Sequence, residues 1–217
     1  MPENTTPISR FDRIPSAWDG VLRSVLYHHD QCSRRHYGRL GAAYSSPYDL
    51  VLTHGQPYRP RILEPTRRGH AKRCFANAIL AALTPDQHAI YIEGYALLSV
   101  GGQPPVMFNH AWVEVPDTGK AYELTWPIAG LAYLGIAFSA ERAHEATWYG
   151  DGSVMQDAKR GYPLLQQPWV SEEGYCHAPA DFWITCMRAG NYATAMEWMT
   201  QQQMETHDER DATTTPF

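Results

Sequence analysis

His110-Ala-Trp-Val-Glu-Val-Pro-Asp-Thr-Gly-Lys-Ala-Tyr-Glu-Leu-Thr-Trp126 is the stretch on which the reading of this chain turns. Two runs of strand-forming residues, His110 to Val115 and Lys120 to Trp126, flank Pro116-Asp-Thr-Gly119, where turn residues stand as a hairpin requires. If residues 116–119 form a four-residue loop, Val115 faces Lys120, Trp112 faces Glu123 and His110 faces Thr125. Side chains two apart share a face, so His110 and Glu123 become diagonal neighbours, about 5–8 Å apart. A two-residue loop at Pro116-Asp117 would set them directly opposite each other, and a slip of one residue would separate them. The hairpin therefore places an imidazole beside a carboxylate in either of these two registers, and not in the one between them.

Working outward, the preceding run Cys74-Phe-Ala-Asn-Ala-Ile-Leu-Ala-Ala-Leu83 is rich in alanine and leucine and stops before Thr84-Pro85, which predicts a short buried helix. Cys74 then sits in the first turn, at the positive end of the helix dipole and just after Lys72 and Arg73. A free thiol has a pKa of about 8.5, so a reactive cysteine needs such help, and a paired imidazole adds more. Cys74, His110 and Glu123 thus form a candidate nucleophile, base and orienting group. Each residue alone also has a plain structural reading: a small buried thiol, a hydrogen-bonded core histidine and a surface strand carboxylate.

Ile90 to Val100, ending at Gly101-Gly102, reads as another strand, on which Glu93 and Tyr95 share a face. Upstream, Trp18, Val21, Leu22, Val25 and Leu26 recur at helical spacing from Ser16, a cap candidate, to about Tyr37. Gly38 to Gly69 carries Pro47, Pro57, Pro60 and Pro65 and reads as irregular. Downstream, Ser139 to Thr147, Ala180 to Arg188 and Ala193 to Gln203 have helical character. The start through about Ser9 reads as a flexible lead-in, and residues 205–217 as a flexible tail.

With 217 residues, 44% of them hydrophobic, the chain supports one full core, and a single domain over 1–204 is expected. The net charge of -5 gives no reason to expect nucleic acid or a membrane as partner. Basic residues cluster locally at Arg34, Arg35 and Arg39, at Arg59 and Arg61, and from Arg67 to Arg73, either as a solvated surface or as an anion-binding rim beside Cys74. The four cysteines, Cys32, Cys74, Cys176 and Cys186, show no close pairing, which fits a reducing cytoplasm. The N-terminus lacks the pattern of a signal peptide, and no apolar run is long enough to span a bilayer.

Cys74-Phe-Ala-Asn-Ala78, His110-Ala-Trp-Val-Glu114 and Tyr122-Glu-Leu-Thr-Trp126 resemble, in order, the three motif blocks of the transglutaminase-like, papain-like cysteine superfamily, with His-Ala-Trp the most specific. Tyr133-Leu-Gly-Ile-Ala-Phe138 is similar to a segment that follows the third block in small bacterial and phage members, so that the motif core spans 67–138. The resemblance implies an α+β fold with a helix starting at Cys74 packed on an antiparallel sheet. It also implies a thiol acyl-transfer activity, such as amide or peptide hydrolysis, deamidation or transamidation, through Cys74, His110 and Glu123. The family usually carries Asp where this chain has Glu123.

Substrates would be a peptide, a protein side-chain amide or a small amide. The oxyanion would meet the Cys74 amide and a second donor, for which Asn77, Tyr95 and Asn109 are candidates, while Trp112 and Trp126 are either core aromatics or walls of the site. No cofactor or metal is expected. His28, Cys32 and His36, spaced by four, are a competing metal-ligand set, but three ligands in tandem on one helix rarely close a tetrahedron. Two further readings stay open. One is a binding module that holds a ligand between Cys74 and His110; the other is an acyl-CoA-dependent N-acyltransferase, suggested by Arg67-Arg-Gly-His70.

Overall fold

A computed structural model describes residues 15–84, 89–149, 152–158, 160–166 and two short strands at 171–172 and 175–176. The chain divides into two compact units, residues 1–178 and 179–217, and every described residue belongs to the first. The helices expected after Ala180, the tail and the lead-in lie outside the described residues.

The first helix, α1, spans Asp19–Tyr37. It begins three residues later than its pattern suggests, because Ser16 orders the entry turn instead of capping the helix. The Ser16 hydroxyl accepts from the Trp18 amide and donates to Asp19. Leu22, Leu26 and Asp30 form its buried stripe, while Trp18 and Val21 remain exposed.

The supposedly irregular segment contains a second helix, α2, over Pro47–His54. Pro47 does not break structure there; it occupies the first turn, where its missing N–H costs nothing, and Ser46 caps the end by accepting from the Asp49 amide at 3.2 Å. Buried Asp30 ties this end to α1, accepting from the Ser45 and Ser46 hydroxyls at 2.7 Å each and pairing with Arg34 at 2.7 Å. The same segment also supplies strands β1 (Gln56–Tyr58) and β2 (Arg61–Ile62).

Helix α3 runs Cys74–Leu83, the bounds its sequence gives. Strands β3 (Ile90–Leu98), β4 (Val106–Val115), β5 (Lys120–Glu123) and β6 (Ala132–Phe138) follow. Helices α4 (Ala140–Tyr149) and α5 (Pro163–Gln166), strands β7 (Ser171–Glu172) and β8 (Tyr175–Cys176), and a single 3-10 turn at Pro65–Arg67 ahead of α3 complete the described elements.

The strands form one mostly antiparallel sheet in the order β2-β5-β4-β3-β6-β8-β7, with β1 added to β6. A helix-and-sheet fold of the α+β class results, with α3 packed on β4 and β3. Val115 pairs with Lys120 and Val113 with Tyr122, the register of a four-residue turn. Gly119 closes that turn at a φ of 61°, where a side chain would be strained.

Pairing of β3 with both β4 and β6 sets Gly94 between His110 and Gly135. Both glycines are required by close approach. A side chain on Gly135 would run into the Trp112 ring, and one on Gly94 into the β6 backbone. On the His110 face, Tyr58, Ile92, Ala96, Trp112, Ala121, Tyr133 and Ala137 make a buried cluster, with Ile90 and Trp126 at its margin.

Candidate active site

Cys74 is placed by a short loop pinned from two sides. The Gly69 amide donates to the Leu124 carbonyl at 2.7 Å, which joins the approach to α3 with the chain beyond β5. Asn77, one turn into the helix, accepts from the His70 amide at 3.1 Å and donates to the His70 carbonyl and the Thr125 hydroxyl at 2.8 Å each. A side chain on Gly69 would collide with the Asn77 amide. Between them Lys72 holds a φ of 63°, in the left-handed region that non-glycine residues seldom occupy. Cys74 emerges half-buried in the first helical turn, hydrogen-bonded to His110.

His110 is buried in the middle of this arrangement. Its Nε2 lies 2.7 Å from Glu123 Oε2, which leaves Nδ1 for Cys74. Burial is the largest single influence on the ring and works against its charge. The hydrogen bonds to Cys74 and Glu123, with the charges of both, together outweigh burial and raise the imidazole pKa to about 9. At neutral pH the ring therefore holds its proton.

Glu123 is fully buried and has four donors around its two oxygens. Oε1 accepts from the Thr125 amide at 2.8 Å and the Trp126 amide at 3.0 Å. Oε2 accepts from His110 and from the Tyr133 hydroxyl at 3.2 Å. The strand expected to reach Trp126 consequently ends at Glu123, because its side chain captures the amides two and three residues on and turns the chain out of the ladder. The same turn lays Trp126 against the imidazole, with ring centroids 3.8 Å apart and planes inclined by 13°.

Tyr133 is the member that sequence reasoning missed. Burial, then the Glu123 charge, pushes its hydroxyl far above the ordinary range and keeps it a donor. A lone hydroxyl within the otherwise apolar Ala132–Phe138 strand was the available signal.

The other candidates separate. Trp126 covers the imidazole and stays partly open to solvent. Trp112 is wholly buried under Gly135 and offers no surface to a substrate, so it is a core residue. Asn77 spends both amide hydrogens and its oxygen on His70 and Thr125, so it braces the loop and has no donor left for an oxyanion.

Tyr95 and Asn109 pair across β3 and β4 and point away from the His110 face. Tyr95 packs on Tyr48 of α2 and its hydroxyl meets Gln156, away from the imidazole. Glu93, on that same second face, is buried. It accepts from the Val154 amide at 2.7 Å, the Met155 amide at 3.1 Å, the Tyr91 hydroxyl at 2.7 Å and the Ser153 hydroxyl.

His28, Cys32 and His36 lie along α1, and among the described residues no group of three or more metal-ligating side chains converges. No helix among those residues is long and apolar enough to cross a membrane. No protein-family model, curated protein or solved structure matches the chain.

The arrangement has the parts for acid–base-assisted attack by sulfur. Cys74, at a helix start, faces an imidazole that holds a proton, and the imidazole is held in one orientation by a saturated carboxylate on its other nitrogen and an indole stacked on its face.

Proposed function

We propose that this protein is a cysteine-dependent acyl-transfer enzyme with Cys74 as nucleophile, His110 as general acid and base and Glu123 as the group that orients His110, built on a transglutaminase-like core. The observation that carries this reading is the continuous hydrogen-bonded line Cys74–His110–Glu123, closed by two backbone amides and Tyr133. An ordinary core histidine needs no thiol at a helix N-terminus on one nitrogen and a four-coordinated carboxylate on the other. The longer Glu123, in place of the usual Asp, fits because its extra methylene lets one carboxylate reach both the ring and the amides that follow it.

In the reaction, Cys74 Sγ attacks the acyl carbon as its proton rests on His110. An S–C bond forms and the carbonyl π pair moves to oxygen, next to the Cys74 amide, one of the first-turn N–H groups a helix cannot bond internally. Collapse breaks the C–N bond, and the leaving amine takes the proton from His110. Water or an acceptor amine then gives a proton to His110 and attacks the thioester, which returns Cys74 as the leaving group. Trp126 shields the imidazole from bulk water through this exchange.

The test is alkylation by iodoacetamide near neutral pH, followed by peptide mass spectrometry. Cys74 is expected to react on the order of tenfold faster than exposed Cys32, with His110→Gln abolishing the difference. Equal rates at Cys74 and Cys32 in the wild type would remove the basis of this reading.

A further inference from the structure

The surface beside His110 is apolar where the surface beside Cys74 is cationic. On β4, Phe108 and Val106 stand two and four residues before His110 and share its face by strand alternation. They differ from the residues deeper on that face. Ile92, Ala96 and Trp112 are buried, whereas Phe108 is 43% and Val106 54% exposed. Phe108 sets its ring edge-on to Trp126, centroids 5.8 Å apart, and Trp126 stacks on His110.

Aromatic surface thus runs unbroken from the imidazole to solvent. The described residues leave it uncovered because β5 pairs with β4 only from Val113 to Val115 before Glu123 turns the chain away. On the other side, the residues leading to Cys74 include exposed Arg67 and Lys72.

We infer that this shelf binds the amine half of the substrate, and that the preferred leaving or acceptor amine carries an aromatic or branched aliphatic group. The inference rests on the acyl-transfer reading above. In that reaction the departing nitrogen must come to His110 to take its proton, and by microscopic reversibility an acceptor amine enters over the same atoms. The group attached to nitrogen therefore lies along the residues that flank His110, not those that flank Cys74. Trp126, stacked on His110, and Phe108, edge-on to Trp126, are the apolar surface beside the ring, Val106 extends it along β4, and covering it removes hydrocarbon from water. The acyl half lies toward the cationic approach to α3.

The experiment uses the full chain and phenyl acetate as a generic donor. Acetyl transfer to Cys74 releases phenol and is read by intact mass. Decay of the acetyl-enzyme is then followed against increasing benzylamine or ethanolamine, two primary amines of similar basicity that differ in apolar surface. The amine attacks the thioester carbon, its proton passes to His110 and the thiolate departs.

Benzylamine should saturate and accelerate decay about tenfold more than ethanolamine, the ratio that burying one ring supplies. Phe108→Ala should bring the ratio to about threefold or less and Phe108→Leu should keep more of it; the wild-type comparison stands even if a variant folds poorly. Equal acceleration by the two amines, with acetyl-Cys74 formed normally, would overturn the shelf and leave the acyl-transfer reading intact. Failure to form acetyl-Cys74 would instead overturn the acyl-transfer reading, and the shelf with it.

Discussion

Glu123 joins two jobs in one side chain. Its Oε2 holds His110 and its Oε1 holds the amides of Thr125 and Trp126, so the group that orients the imidazole also shapes the loop that covers it. Glu123→Gln keeps the volume but turns one acceptor into a donor that must face an N–H or the Tyr133 hydroxyl. The variant should be destabilised by about 3 kcal/mol in denaturant titrations, as when one partner of a buried charged pair is lost. The His110 titration, followed by NMR of the ring protons, should move down from about 9 toward the ordinary imidazole value. A titration unchanged in Glu123→Gln would mean that the carboxylate does not control the ring.

At the scale of elements, the thiol depends on how the loop before α3 is fastened to the loop after β5. Asn77 supplies three hydrogen bonds to that joint and Gly69 leaves room for them. Asn77→Ala should cost about 3 kcal/mol of stability, by leaving buried backbone and hydroxyl groups of the joint unpaired, and should slow Cys74 alkylation relative to Cys32. If stability falls while the alkylation ratio holds, Asn77 supports the fold but does not position the thiol.

What was readable in the sequence at this scale was what depends on neighbours along the chain. The bounds of α3 follow from the run of residues that ends at Thr84-Pro85, and the turn residues between β4 and β5 give the hairpin but leave two registers, of which the four-residue one is formed. What was hidden depends on partners far along the chain. Pro47 reads as a breaker until Asp30 fixes Ser45 and Ser46 at the start of α2. The early end of β5 depends on where the Glu123 carboxylate points, and the role of Tyr133 on β6 reaching across the face. The same limit applies to Tyr95 and Asn109. Alternation tells which residues share a face but not which face carries His110 until the strands are assembled.

Across the whole molecule, two buried titrating groups on opposite faces of the sheet bias stability in the same direction. His110, raised to about 9 in the folded protein from about 6.5 in an unfolded chain, contributes stability that is complete below the unfolded value and is lost as pH rises through 9. Glu93 is raised too. Burial is its leading cause, outweighing the hydrogen bonds from Ser153, Tyr91, Val154 and Met155, and a raised carboxyl favours the folded state more as pH falls. The melting temperature should therefore climb from pH 9 to about pH 6, and His110→Gln should flatten the upper part of that rise. A wild-type profile flat over this range, or one rising with pH, would contradict the assignment.

Strand β6 gives the sheet its timing as well as its centre. It is buried along its whole length, pairs with β3 on one side and β1 on the other, and sends Tyr133 to Glu123. Cys74, His110 and Glu123 all precede it in the chain, so each leaves the ribosome before the strand that locks their geometry. While Ala132–Phe138 is still being synthesised, the Glu123 carboxylate lacks the Tyr133 hydroxyl, the one of its four donors that lies on β6. The Tyr133 hydroxyl thus reaches Glu123 only after all three residues of the Cys74–His110–Glu123 line have been made, and a chain that stops before Tyr133 lacks that donor.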